Sequence, residues 1–171
     1  MGTTPPPPLY VALGTNLGDR ERNLARGVKG LEAHGLRITA RSSVYETEPV
    51  GGPPQGPYLN AVVQADTALD ARRVLSSCLE VEREVGRVRG EPNAPRTLDL
   101  DLLLFGDLVV RAPGFTVPHP RMHERRFVLV PLAEIAPGVR HPVLRLTAAE
   151  MAARCPDSAA VALYGPPELL G

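Results

Sequence analysis

The chain alternates between short apolar runs and polar, turn-forming stretches. Leu9 to Leu13 is an apolar run that ends at Gly14-Thr15-Asn16-Leu17-Gly18-Asp19, and this switch predicts a strand entering a loop. From near Asp19 the apolar positions change to helical spacing, with Leu24, Val28 and Leu31 on one stripe and Gly35 as the stop. Residues 36–44 then alternate through Leu36, Ile38, Ala40 and Val44, which predicts a second strand. Four prolines and three glycines between Thr47 and Pro57 exclude regular structure there, so residues 47–57 read as a long surface loop. Residues 58–65 return to a strand pattern. Thr67 with Asp70 three residues on reads as a capping box, opening a helix that carries Leu75, Cys78, Leu79 and Val85.

Residues 86–96 form a second irregular stretch, and residues 96–105 follow as a strand. Gly106-Asp107 predicts a hairpin turn into residues 108–110. Beyond Pro118, residues 122–136 look helical but interrupted at Pro131, and Thr147 with Glu150 predicts a short C-terminal helix. The order β-α-β-β-α-β followed by additions predicts an α+β ferredoxin-like sandwich, with helices on one face of a largely antiparallel sheet. Residues 1–8, with four consecutive prolines, read as a flexible leader, and residues 9–171 as one domain.

Composition narrows the function classes. With 171 residues and 43% hydrophobic content, the chain can bury a core without disulfides or structural metal. Its formal net charge of +0 provides no global attraction to nucleic acid or to an anionic membrane, so any anion binding must be local. Cys78 and Cys155 fit neither a disulfide framework nor a metal spacing, and no stretch reaches the roughly 18 apolar residues of a membrane span. The N-terminus lacks the pattern of a signal peptide, and a reducing cytoplasm is the expected location. Aromatic residues are 4% of the chain, too few for an RNA-stacking sheet.

Candidate chemistry centres on Asp99 and Asp101. Two apart in a strand, they share a face with Cα atoms about 6.6 Å apart, while Leu98, Leu100 and Leu102 take the other. Two such carboxylates repel by roughly 2 to 3 kcal/mol at an effective dielectric near 20. Either both point into water, or they share a divalent cation such as magnesium, which takes oxygen ligands and commonly joins protein carboxylates to nucleotide phosphates. Arg87, Arg89 and Arg96 precede this strand; His119, Arg121, His123, Arg125 and Arg126 follow it. Arginine's planar fork suits phosphate oxygens, although some of these residues can equally form a solvated face. His119, between Pro118 and Pro120, sits on a stiff backbone that suits a positioned donor. No Gly-rich phosphate loop is present, so side chains and metal would hold any triphosphate. Ser42, Ser43 and the cysteines have no accompanying base and are not candidate nucleophiles.

Four segments together resemble the 6-hydroxymethyl-7,8-dihydropterin pyrophosphokinases, folate-pathway enzymes that move a diphosphate from ATP to a pterin alcohol. They are residues 13–20, residues 45–51 with 57–62, residues 86–89 with 95–106, and residues 117–137. The resemblance implies that Asp99 and Asp101 bind two magnesium ions bridging ATP phosphates. It implies that Arg87, Arg96, His119 and Arg125 contact phosphate oxygens, with Arg89 on the catalytic loop. By the same matching, Glu82 lies near the nucleotide, and Leu102 and Thr116 border the adenine. The pterin is expected near Gly14, Thr47, Pro49, Val50, Tyr58, Asn60 and Phe127. The partners implied are these two small molecules, with no nucleic acid and no membrane, for a monomer that a dimer could replace. The chain departs from the family's commoner pattern at Pro92, Asn93 and Ala94, where an Arg-Trp pair usually stands, and looser closure over the pterin is expected. The readings weighed against this one are a regulatory ligand domain with an inactive site and an ATP-dependent kinase of another alcohol.

Overall fold

The computed structural model describes residues 4–49, 52–86 and 97–171. β1 (Leu9–Thr15) is buried along its whole length because both of its faces are covered. Leu9, Val11 and Leu13 join one core cluster, and Tyr10 and Ala12 join another. α1 (Arg20–Ala33) begins where Asp19 accepts a hydrogen bond from the Arg22 amide, and buries Leu24, Val28 and Leu31 as their spacing predicts. β4 (Tyr58–Asp66) runs antiparallel to β1, and β5 (Asp99–Phe105) runs antiparallel to β1 on its other side.

Residues 36–44 are not one strand. The chain makes β2 (Arg37–Arg41) and β3 (Val44–Thr47), both antiparallel to β4. Ser42 interrupts them: it is buried, its hydroxyl donates to the Ser43 carbonyl, and the same oxygen accepts from the Val62 amide. A serine that bonds backbone in this way competes with the ladder, which an alternation pattern does not register. β8 (Ala162–Gly165) adds to β3, giving the antiparallel order β5-β1-β4-β3-β8, with β2 also on β4.

α2 (Ala71–Val85) is capped by Asp70, whose carboxylate accepts from the Arg73 amide. The Thr67 capping box is therefore incorrect: Thr67 donates to the Gly35 carbonyl and accepts from the Leu69 amide. Leu79 is exposed, while Val74, Cys78, Val81, Glu82 and Val85 form the buried stripe. α1 and α2 lie together on one face, and Gly30 is where they meet. A Cβ built there falls 2.6 Å from Val81 Cγ1. Gly30→Ala is expected to destabilise the protein by about 1 to 3 kcal/mol through overpacking, read as a lower urea midpoint.

The second face is covered too, contrary to the one-sided reading. α3 (Arg126–Ile135) and α4 (Ala148–Arg154) pack Val128, Leu129, Leu132, Ala148 and Met151 onto Tyr10, Ala12, Val62, Leu103 and Leu104. Pro131 lies inside α3 and does not end it. Pro131, Val128, Leu129 and Leu132 are all buried, and that packing offsets the single backbone bond a proline forfeits. Thr147 and Glu150 do form a capping box at α4. Gly106-Asp107 makes a turn, but not a hairpin back onto β5. The hairpin is β6 (Val110–Ala112) with β7 (Phe115–Val117), turning at Gly114, whose φ of 71° suits glycine. The result is a ferredoxin-like α+β sandwich with a second helical layer.

Candidate active site

Strand register lays out the floor of the site. Gly14 on β1 is opposite both Asn60 of β4 and Asp99 of β5, and Asn60 is opposite Tyr45 of β3. Asp99, Gly14, Asn60 and Tyr45 thus form one row on the α3 side of the sheet. The neighbouring row is Asp101, Ala12 and Val62, whose apolar members lie in the core shared with α3. As the strand alternation predicts, Leu98, Leu100 and Leu102 turn to the α1–α2 core.

Gly14 is what opens the floor. A Cβ there would lie 3.3 Å from Asn60 Oδ1 and 3.8 Å from Tyr58 Cδ1. Asn60 is only 5% exposed, and its Nδ2 donates to Thr47 Oγ1 at 2.7 Å, which leaves Oδ1 facing the space over Gly14. Burial, helped by the charge of Asp99, raises the Tyr58 pKa and keeps its hydroxyl a neutral donor. Phe127, at the start of α3, is partly buried against the second core, and the Arg125 guanidinium lies 5.8 Å from its ring centre. Pro49 is part-buried in the loop that follows β3.

His119 stands beside the acids. Its backbone amide donates to the Leu103 carbonyl at 2.9 Å, which pins it along the outer edge of β5. Its Nδ1 accepts from the Arg121 amide at 3.2 Å, so the ring proton resides on Nε2, 3.9 Å from Asp101 Oδ1. Burial lowers its pKa despite Asp101, and Arg125 and Arg121 act in the same direction as burial. At neutral pH His119 is therefore an uncharged Nε2–H donor. Next to it opens a pocket of about 230 Å³ lined by Leu75, Asp101, Leu102, Phe115, Thr116 and His119. Leu102 and Thr116 thus share one cavity wall with an acid of the pair.

Glu82, expected near the nucleotide, lies against the acid-bearing strand. It is 3% exposed, and its Oε2 accepts from the Leu100 amide at 2.8 Å. Val50, Arg87, Arg89 and Arg96, with Pro92, Asn93 and Ala94, lie outside the described residues. The residues bounding 87–96 do meet: Thr97 Oγ1 donates to the Gly86 carbonyl at 3.2 Å, and the Thr97 carbonyl accepts from Thr15 Oγ1 at 2.6 Å. Arg121 pairs with Glu124 at 3.8 Å, the solvated arrangement the sequence allowed. Cys78 is no nucleophile, since burial and the charges of Glu82 and Asp101 push its thiol up to about 12.

Sequence reading missed several supports. Asn16 donates to Gln55 Oε1 at 2.6 Å and Arg20 donates to the Pro57 carbonyl at 3.0 Å, so the first turn of the chain anchors the segment that enters Tyr58. Both lie in the 13–20 segment, where they read only as turn and helix formers. Glu134 of α3 accepts from the Ser43 amide, the Ser43 hydroxyl and the Tyr45 hydroxyl at 2.7 to 2.9 Å, and nothing local in the sequence marks it. Burial first, then Glu134, pushes the Tyr45 phenol up to about 12.

Two carboxylates on one strand face, a neutral histidine donor and an adjoining pocket on a ferredoxin-like sheet fit one class of protein, a kinase-type transferase. The family model described as 7,8-dihydro-6-hydroxymethylpterin-pyrophosphokinase (HPPK) matches residues 10–137. The chain belongs to this family, and its activity is the pyrophosphokinase reaction on hydroxymethyldihydropterin in folate synthesis, with ATP as co-substrate. It is 46% identical over 131 residues to the 2-amino-4-hydroxy-6-hydroxymethyldihydropteridine pyrophosphokinase of Bacillus subtilis (strain 168), covering 76% of this chain and 78% of that one. The Methylorubrum extorquens protein of the same name is 44% identical over 131 residues, 76% of this chain and 83% of its own. The crystal structure of wild-type Plasmodium falciparum HPPK-DHPS matches 86% of this chain and 44% of that chain at a TM-score of 0.67. At 14% identity, that likeness speaks for the fold alone.

Proposed function

We propose that the row Asp99, Gly14, Asn60 is where the two substrates meet, with the nucleotide on the β5 side and the pterin on the β4 side. The observation that carries this is the register, which sets a carboxylate, an absent side chain and a buried amide oxygen in line. Asp99 and Asp101 fit magnesium: they are hard oxygen donors on one strand face, and the Asp101 side chain is 43% exposed. In this reading they hold two magnesium ions. When bound, magnesium neutralises the triphosphate and the charge that develops on departing AMP.

The chain's own residues position the reactants. Leu102 and Thr116 border the adenine in the pocket beside Asp101, and His119 donates its Nε2 proton to a phosphate oxygen, with Arg125 beside it. Arg87 and Arg96 contact phosphate, and Arg89 belongs to the catalytic loop. Asn60 Oδ1 accepts from a pterin N–H, Gly14 lets the flat ring approach the sheet, Tyr58 and Phe127 flank it, and Thr47, Pro49 and Val50 complete the residues read for the pterin. The substrate hydroxyl oxygen bonds to the β-phosphorus of ATP, the bond from that phosphorus to the α–β bridging oxygen breaks, and the hydroxyl proton is released. The protein orients and neutralises rather than forming a covalent intermediate.

No helix among the described residues is long and apolar enough to cross a membrane, and the reading is of a cytoplasmic monomer acting on two small molecules. The test is product analysis by phosphorus NMR with ATP, 6-hydroxymethyl-7,8-dihydropterin and magnesium. AMP and a pterin diphosphate are expected in equal amounts, each dependent on all three components. Formation of ADP would instead indicate transfer of a single phosphoryl group and would rule out attack at the β-phosphorus.

A further inference from the structure

A carboxylate that is 3% exposed inside a helix–sheet interface requires an explanation, since burial penalises its charge. Glu82 has one in the strand it faces. β5 is an edge strand, bonded within its sheet to β1 alone. The amide of Leu100, between Asp99 and Asp101, donates to Glu82 and so points away from β1, where an edge strand has no ladder partner. Glu82 Oε2 takes that amide at 2.8 Å. Three residues on, the Leu103 carbonyl accepts from the His119 amide at 2.9 Å. The acid-bearing stretch is therefore held by β1 on its inner side and by these two bonds on its outer side.

We infer that Glu82 is a positioning residue: by gripping the Leu100 amide it fixes the aim of Asp99 and Asp101 at the cation. The gripped amide belongs to the peptide plane joining Asp99 to Leu100, so rotation of that plane swings the Asp99 side chain directly and Asp101 through Leu100. This inference rests on the proposal that the two aspartates hold magnesium. It gives Glu82 a role toward the strand that bears the acids.

Two substitutions in the full chain separate reach from charge. Glu82→Gln keeps an acceptor of the same length without charge, and Glu82→Asp keeps the charge but is one methylene too short. Amide hydrogen exchange at Leu100 is followed by NMR without ligand, and calorimetry gives the magnesium needed to half-saturate binding of a non-hydrolysable ATP analogue. Glu82→Gln is expected to protect Leu100 as wild type does and to need the same magnesium within about twofold. Glu82→Asp should lose protection and need about tenfold more, the usual scale for a group that orients a metal ligand. If Glu82→Gln shifts as far as Glu82→Asp, charge rather than the bond matters and the inference fails. It fails alone if wild type depends on magnesium and Glu82→Asp matches it. If wild type binds the analogue equally with and without magnesium, the cation proposal falls and this inference falls with it.

Discussion

Asp101→Asn is expected to slow AMP formation by roughly a hundredfold or more, the scale for loss of one preorganised charge-stabilising group, while the magnesium-free protein unfolds no more easily than wild type. The two halves of this expectation have one cause. Without a cation, Asp99 and Asp101 sit on one strand face and repel. The Asp101 side chain is 43% exposed, so solvent screening reduces that repulsion to below about 1 kcal/mol. Asparagine removes the repulsion and keeps the shape. Among the described residues it breaks no close ion pair, the nearest His119 nitrogen being 3.9 Å away. With a cation and ATP bound as proposed, the same substitution would delete an anionic ligand. A structural role would produce the opposite pattern, a lower denaturation midpoint with activity retained in the folded fraction. Rapid-quench assays across a magnesium series, set beside denaturation in chelator, decide between the two.

Gly14→Ala should raise the pterin concentration needed for half-maximal rate by about tenfold, a loss of about 1.4 kcal/mol, and should leave binding of an ATP analogue nearly unchanged. Gly14 is not among the glycines held at positive φ, so its backbone suits any residue and glycine is not there for conformational freedom. It is there for space. An added methyl lies 3.3 Å from Asn60 Oδ1, a contact the folded protein can absorb by a small shift of that side chain. Stability should change by less than about 1 kcal/mol. The ligand lacks that latitude: a flat ring seated over Gly14 would be lifted away from Asn60 Oδ1 and lose its hydrogen bond. Steady-state kinetics with pterin varied at saturating ATP gives the answer, and an unchanged half-saturating concentration would place the pterin elsewhere.

The supports of the site lie far apart along the chain. Thr15 reaches Thr97, Asn16 reaches Gln55 and Glu134 reaches Ser43. These bonds tie the end of β1 to the residue two before β5, the turn after β1 to the loop before Tyr58, and the helix that carries Phe127 to the junction of β2 and β3.

Sequence by itself determined which face each strand residue takes. Alternation put Leu98, Leu100 and Leu102 in the core and Asp99 with Asp101 opposite, because the strand repeat is a property of the backbone. It also determined the Thr147–Glu150 cap, a bond within one helical turn, and the family signature that names the chemistry. Tertiary structure alone decided what those faces meet. The break at Ser42 depends on Val62, the persistence of α3 through Pro131 on apolar burial, and the hold of Glu82 on Leu100 on the packing of α2 beside an edge strand. Periodicity encodes direction from the axis of an element but not the identity of the neighbour, which is fixed only when distant segments compete for the same backbone groups and the same buried space.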